Sequence, residues 1–563
     1  MSRMSNKNLK WEIKGKLKDK KDTLKVSDIV DTLLQNRKIT TKKGKDEFFS
    51  PTHPNDLDVK ELGINKLQVK KAITRIKKAK TNKEKVIVYG DYDADGITAT
   101  AILWETLDAI GLSVLPYLPD RFTEGYGLNG DSIEKLKEND PDIKLIITVD
   151  NGIVAHDAVA RANKLGIDVV ISDHHEKEKK LPKAYAIVHT TKLSGSAVSW
   201  ILSREIKKKI KLVKGLRFGD GLELAGIGTI ADMVPMIEAN RSFAKFGLEA
   251  VNVTKRIGLK SLLNQAQVKT GFIGSYMVGF IIAPRLNAPG RLEKGIDSLR
   301  LLCVRDDKKA DDLSLKLGKI NDKRKKILDD VVKSAEAKLK KEKEGKVIVL
   351  SDKNYHEGVV GLAASRLVER FYKPSFVISK GDKFSRGSAR SISGFNIIAA
   401  IRKLKALLEN EGGHKMAAGF TIKTNRIKQF EKEMNKIAKA EIKKEMLAPK
   451  LSVDLEIDLK TVKYDLADTL KKFEPTGIGC PRPLFFTRDV CVLDARLIGK
   501  DKSHIRMKLE KDGKVINGVG FGLGEFHSKL EKDKKIDIIY SVEINEWNGD
   551  VNVELRLKDI KTK

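Results

Sequence analysis

The 563-residue chain has only three cysteines, and no two of them form a C-x-x-C pair. Their scatter at Cys303, Cys480 and Cys491 argues against a disulfide framework or a thiolate zinc site and suits a reducing compartment. No run of 18 apolar residues exists, and no apolar core follows the Lys-rich N-terminus, so neither a membrane span nor export is expected and a cytoplasmic location is. Negative charge is also short. Against 109 Lys and Arg there are 77 Asp and Glu, which leaves a formal net charge of +32. Such an excess draws in polyanions, so nucleic acid is the leading partner class, with a general lysine bias as the plain alternative.

Where carboxylates do occur, they are concentrated. Residues 86–96 read VIVYGDYDADG, a β-branched run followed by Asp91, Asp93, Asp95 and Gly96. The spacing matches the opening of a calcium-binding EF-hand, but the twelfth loop position is Ile102 where a bidentate Glu belongs, and a strand rather than a helix precedes the loop. A dinucleotide site is excluded as well, because the G-x-G-x-x-G spacing is absent and the loop's charge would repel a pyrophosphate. Something must neutralise these aspartates.

The length predicts three or four domains. Residues 1–45 carry many lysines and little apolar periodicity and read as a partly ordered basic arm. From about residue 83, short apolar runs alternate with helical patterns: VIVY, then ITATAILWETLDAIG, then KLIITVDNGI, AHDAVARANKLG and IDVVISDHH. That rhythm predicts a parallel, doubly wound sheet. Residues 305–342 are charged nearly all round and predict a long solvated helix bridging two domains. VIVLS at 347–351 opens a second α/β unit. Near residue 450 the pattern turns to strict alternation, with Leu451, Val453, Leu455, Ile457 and Leu459 on one face, and DVNVELRL repeats it after the Asn548-Gly549 turn signal. The last hundred or so residues therefore predict a small antiparallel barrel.

In an open parallel sheet, functional groups gather beyond the carboxyl ends of the strands. Reading each predicted strand to its end gives Asp91, Asp93 and Asp95, then Asp150, then Asp173, His174 and His175; Asp232 follows a further apolar stretch. Each has a plain reading, as an Asp-Gly or Asn-Gly turn, a pair of surface histidines, or a helix cap. Those readings would all have to hold together at one edge. So many carboxylates need cations between them. Mixed carboxylate and imidazole donors suit manganese or magnesium, and two such ions sharing an Asp activate water and clamp a phosphoryl oxygen, which makes phosphodiester or phosphoanhydride hydrolysis the expected chemistry.

GDYDADG, TVDNG, ISDHH and GTIADMVP resemble, in order and spacing, the four phosphoesterase motifs of the DHH superfamily. APRLNAPGR at 283–291, HEGVVGLAASRLVERF at 356–371, GSARSISGFN at 387–396, GGHKMAAGF at 412–420 and GIGCPRPLF at 477–485 resemble segments of its RecJ branch, the single-strand-specific exonucleases. The resemblance covers about residues 46–560. It implies a parallel-sheet α/β phosphoesterase domain (46–304), a connecting helix (305–342), a smaller α/β DHH-associated domain (343–447) and an OB-fold barrel (448–563). It further implies two divalent ions, manganese or magnesium, held by Asp91, Asp93, Asp95, Asp150, His174 and Asp232. Asp173 and His175 come out as catalytic, His175 beside the scissile phosphate. Arg121, Ser388 and Arg390 would hold the 5′ end, Gly412, Gly413, His414 and Lys415 a phosphate, and Arg285, Asn287 and Arg291 the strand on its way to the metals. Where many relatives have a His, this chain has Tyr89.

The expectation is a monomeric exonuclease that threads single-stranded DNA between two α/β domains and cuts it from the 5′ end to 5′-mononucleotides, in repair and recombination, alongside a helicase and a single-strand-binding protein. On the barrel, Phe485, Phe486, Tyr540 and Trp547 are the candidates for stacking bases, with burial in the barrel core as the alternative. Two rivals stand beside it. One is a phosphodiesterase for short oligonucleotides, which the terminal barrel counts against; the other is a non-catalytic single-strand-binding scaffold, which the intact acidic motifs count against.

Overall fold

The computed structural model describes residues 9–15, 25–340, 345–547 and 550–562, the side chain of Trp547 excepted. The Asn548-Gly549 turn lies outside these residues. Two compact units emerge: residues 41–324 with 473–481, and the described parts of 1–40, 325–472 and 482–563.

Within residues 1–45, where a basic arm is expected, β1 (Lys10–Gly15) pairs in parallel with β12 (Lys450–Glu456). The helix Val26–Asn36 buries Ile29, Leu33 and Leu34. Arg37 locks this region down by reaching the buried Asp454 carboxylate at 2.9 Å. The apolar residues responsible are few and widely spaced, so the lysines between them mask the pattern.

The larger unit is built on β2 (Lys85–Tyr89), β3 (Ser113–Tyr117), β4 (Ile143–Val149), β5 (Asp168–Asp173) and β6 (Ala186–His189), all parallel, in the order β3-β2-β4-β5-β6. Strands β2, β4 and β5 are almost wholly buried, as their continuous Val and Ile runs require of a sheet covered on both faces. The chain moves one way from β2 to β3 and the other way from β2 to β4. That reversal opens a crevice at the carboxyl ends of β2 and β4, the usual place for a ligand in a doubly wound sheet. Against one face packs the helix Ala94–Ala109, which is buried nearly all round between the sheet and the helices Gly195–Lys209 and Leu222–Ala231.

The predicted connecting helix is Asp307–Leu339, 33 residues, or about 50 Å long. It is not solvated all round. Ala310, Ser314, Leu317, Asn321, Leu328, Val331 and Ala335 form a buried stripe at three- and four-residue spacing. Small and polar members hide that stripe among the charges.

The second unit contains β7 (Ile348–Asp352), β8 (Ser375–Ser379), β9 (Phe384–Arg390), β10 (Leu408–Gly413) and β11 (Ala417–Lys423), in the order β10-β11-β9-β8-β7. The β7–β8 pair is parallel and the others antiparallel. Beyond β12, the strands β13 (Phe485–Ile498), β14 (His504–Lys511), β15 (Lys514–Gly520), β16 (Lys535–Trp547) and β17 (Asp550–Thr562) close on themselves, because β13 pairs with both β14 and β16. The barrel is antiparallel except for β15–β17, which run parallel. Phe485, Phe486 and Tyr540 are at most 4% exposed, so none offers a face to a base, and the Trp547 side chain lies outside the described residues. Period-two alternation puts Phe485 on one face of β13, against Tyr540, and Phe486 on the other, where Trp11, Val453 and Ile539 cover it.

Among the described residues no helix is long and apolar enough to cross a membrane, and Cys303, Cys480 and Cys491 are all free thiols.

Candidate metal centre

Each acidic segment emerges at the crevice for a local reason. After β2 the chain turns at Asp91 and Asp93, and Asp93 caps the helix Ala94–Ala109 by accepting from the Asp95 and Gly96 amides, each at 3.0 Å. After β4, Asp150 takes a left-handed backbone with φ of 62°, which Asp tolerates better than most residues. Asn151 closes that turn by donating to the carbonyls of Val149 and Tyr89. After β5 come Asp173, His174 and His175. The apolar stretch before Asp232 is the buried helix Leu222–Ala231, and Asp232 is its C-cap. A short apolar run does not distinguish a buried helix from a strand by periodicity.

These segments converge. Three sets of ligand atoms lie within 4.8 Å of one another: Asp91, Asp93 and Asp150; Asp95, His174 and Asp232; and Asp150, His174 and His175. The Asp95 carboxylate is aimed by the Gly195 and Ser196 amides at 2.7 and 3.0 Å. Glycine is required around it. A Cβ on Gly195 would come within 2.3 Å of Asp150 Oδ1, and one on Gly228 within 2.4 Å of Asp95 Oδ1.

The electrostatics show what is missing. Burial raises Asp91, Asp95 and Asp150 above the usual carboxylate range, and the neighbouring aspartates push in the same direction. Asp232 is pushed up to about 8, by burial first and then by Asp95 and Asp93. His174 is lowered by burial and presents a neutral imidazole. Its Nε2 lies 3.1 Å from Asp150 Oδ1 and 3.7 Å from Asp232 Oδ2. Yet among the described residues His174 Nε2, Asp150 Oδ1 and Asp91 Oδ1 are buried without a hydrogen-bond partner. Buried polar atoms rarely go unpaired, and converging carboxylate oxygens and an imidazole nitrogen are the donor set that suits hard divalent cations.

His175 is of another kind. Burial would lower its pKa, but the Asp173 carboxylate at 2.8 Å, with Asp232 and Asp95 near, pushes it up to about 9. Asp173 is itself lowered despite burial, because His175 and the Ile153 and His175 amides bond to it. Tyr126, an exposed side chain five residues after Arg121 for which the sequence carries no signal, puts its hydroxyl 3.1 Å from His175 Nε2. Arg121 lies over the Tyr92 ring, 5.1 Å from its centroid. Tyr89 stays out of the cluster, because its ring is in the core beside Leu128 and Ile133 and its hydroxyl donates to the Gly127 carbonyl.

Asn287 ties a further helical run to the centre by accepting from the Ala94 amide at 2.6 Å. On the same run Arg285 donates to the Ile281 carbonyl, and the short helix that carries Arg291 packs Gly290 onto Tyr92. The remaining candidates belong to the other unit. Arg390 Nη1 donates to Ser388 Oγ at 3.2 Å, and a Cβ on Gly361, in the first turn of the helix Val360–Phe371, would meet both side chains. Gly412 and Gly413 end β10, and His414 and Lys415 lie exposed at the tip of the β10–β11 hairpin.

Arg256 holds the scaffold of the centre. Fully buried, it bonds the Glu105 carboxylate at 2.8 and 3.0 Å and Glu223 at 2.9 Å, and so staples together the helices that carry Asp95 and Asp232. Arg256→Ala would strand two buried carboxylates. We expect it to lower stability by about 3–5 kcal/mol in urea unfolding, with no rescue by Arg256→Lys, which cannot make the bidentate contact.

A doubly wound sheet with a buried cluster of carboxylates and a DHH triplet at its switch point defines a phosphoesterase of the DHH class. Family models match along the chain: the DHH family N-terminal domain at 85–217, the DHHA1 domain at 344–440 and the RecJ OB domain at 453–559. The single-stranded-DNA-specific exonuclease RecJ of Bacillus subtilis is 34% identical over 98% of this chain and 70% of that protein, and that of Haemophilus influenzae is 30% identical over 94% and 95%. A crystal structure of RecJ from Thermus thermophilus in complex with Mn2+ superposes with a TM-score of 0.80 at 25% identity, over 99% of this chain and 80% of that one. The chain belongs to the RecJ family.

Proposed function

We propose that the chain is a metal-dependent exonuclease that hydrolyses single-stranded DNA from its 5′ end to 5′-mononucleotides, in DNA repair and recombination, in the cytoplasm, and working with a helicase and a single-strand-binding protein. The observation that carries this reading is the buried, unpaired convergence of Asp91, Asp150 and His174 in a chain of the RecJ family. Asp91, Asp93 and Asp150 would hold one cation, and Asp95, His174 and Asp232 the other, with Asp150 near both sets. Two divalent ions, manganese or magnesium, supply positive charge at the phosphoryl oxygen and lower the pKa of water.

The chain's own residues do the rest. His175, kept protonated near neutral pH by Asp173, places a cation where charge builds on the phosphate, and the Tyr126 hydroxyl fixes its ring. Arg121 adds positive charge beside Asp91. Ser388 and Arg390, next to a helix N-terminus, suit a terminal phosphate, as does the tip formed by Gly412, Gly413, His414 and Lys415. Arg285, Asn287 and Arg291 guide the strand.

The test is digestion of one DNA strand labelled at either end, with manganese, with magnesium and with a chelator. Immediate release of the 5′ label as a mononucleotide, beside a gradually shortening 3′-labelled ladder and no reaction under chelation, is the expected result. Loss of di- to tetranucleotides from a mixture in which long strands stay whole would replace this reading with the short-oligonucleotide one.

A further inference from the structure

The three most exposed phenylalanine and tyrosine side chains among the described residues are Phe272 (77%), Phe280 (68%) and Tyr276 (65%), all within nine residues of one another. Tyr276 and Phe280 lie four residues apart on one helical run that includes a π-helical turn, and Phe272 precedes that run in a loop. Tyr276 and Phe280 stack on each other with ring centroids 4.7 Å apart and an interplanar angle of 25°. Between them Gly279 leaves open space, since nothing lies within 4 Å of where its Cβ would be. The opposite face of the run, through Ser275, Val278, Ile282 and Leu286, is buried. The exposed rings are therefore not a failure of packing.

We infer that Tyr276 and Phe280 form a stacking platform for unpaired nucleobases that leads a single strand into the acidic centre. This rests on the function proposed above and adds a strand-binding site to it. Continuity with the centre picks the occupant. The run packs against the helices Ala94–Ala109 and Leu222–Ala231, which carry Asp95 and Asp232. Seven residues beyond Phe280, Asn287 bonds the Ala94 amide. The run passes from a short α-helix through a π-helical turn, Val278–Ile282, into the α-helix Ala283–Asn287, so at no more than about 1.5 Å per residue Phe280 and Tyr276 stand at most roughly 10 and 16 Å back from Asn287, a span of about three to five stacked nucleotides at ~3.4 Å each. Arg285 lies between them and the centre, in a chain whose net charge is +32. Aromatic faces beside guanidinium groups are the general device for holding single strands without reading sequence. A duplex, whose bases are already stacked, has no face to offer.

The platform is tested by binding, independently of turnover. Full-length chains carrying Asp150→Ala are titrated by fluorescence anisotropy with a 5′-phosphorylated single-stranded 20-mer and with versions carrying abasic residues at positions 3–6. Adding Tyr276→Ala and Phe280→Ala is expected to weaken binding of the intact strand by about 10- to 100-fold. The abasic strand should bind the unaltered platform equally weakly, and the two losses should not add. Tyr276→Phe with Phe280→Tyr keeps both rings and should restore affinity, which separates stacking from misfolding. Equal affinity of the Ala pair for the intact strand, or additive losses, overturns the platform while leaving the exonuclease reading intact. Failure of the unaltered chain both to bind and to cut the 20-mer overturns both. A dimer seen by light scattering that the Ala pair dissolves, with DNA affinity unchanged, reassigns the rings to a protein interface.

Discussion

Asp150→Ala is expected to lower hydrolysis of single-stranded DNA by on the order of a thousandfold or more while leaving the strand bound. Asp150 belongs to the Asp91–Asp93–Asp150 set, and its Oδ1 lies 3.1 Å from His174 Nε2 of the other, so its loss weakens one cation position directly and disturbs the second. A two-metal clamp supplies several kcal/mol to the transition state, and each 1.36 kcal/mol is a factor of ten in rate. Binding should survive, because it is assigned to groups elsewhere and the variant removes a negative charge from a polyanion's path. Asp150→Asn sharpens the comparison: it keeps the side-chain volume beside Gly195, where there is no room for a larger group, and removes only the charge. Turnover unchanged in both variants would show that the carboxylates do not hold catalytic metal.

The convergence of the candidate centre is legible in the sequence for a reason. Strand-end carboxylates are local: β2, β4 and β5 each lead into acidic residues that the fold brings together, so reading a strand to its end finds Asp91, Asp150 and Asp173. Asp232 follows LAGIGTIADMVPM, which is apolar at every period, so the sequence marks the residue without telling the buried helix that carries it from a strand. What aims the centre is harder to read. The Gly195 and Ser196 amides that orient Asp95 act through backbone, which leaves no trace in side-chain chemistry. The Arg256 staple joins residues 33 and 151 positions apart, and nothing in the chain order signals it. Tyr126 stands in a motif that is chosen for its arginine. In the barrel, of the two fates open to Phe485, Phe486 and Tyr540, burial holds: Phe485 packs against Tyr540, and Phe486, on the opposite face of its strand, is covered by Trp11, which lies more than four hundred residues away in sequence. Exposed rings are instead found at helical spacing in the other unit.

Metal removal should have the second large effect, and pH gives it a sign. With no cation present, Asp232 has its pKa raised to about 8, and Asp91, Asp95 and Asp150 are raised in the same sense, so folding takes up protons as pH falls. The stability these groups contribute is fully present below their unfolded values near 4 and is lost as pH rises through the folded ones. His175, raised to about 9, runs the same way; Asp173, lowered, runs against it, and its contribution goes only at acid pH. Chelated protein is therefore expected to melt at a higher temperature at pH 6 than at pH 8.5. Manganese reverses the trend, because cations bind the ionised carboxylates and must displace any proton held there. At a hundredfold over its dissociation constant, one ion adds about 2.7 kcal/mol, a rise of several degrees in the melting temperature of a unit this size. The gain should be largest at pH 8.5 and shrink toward pH 6. In Asp150→Ala both the slope and the manganese gain should fall together, since the same carboxylate is asked to cause both. A manganese gain that stayed intact in that variant would place the bound ion away from the cluster of Asp91, Asp95, Asp150, His174 and Asp232.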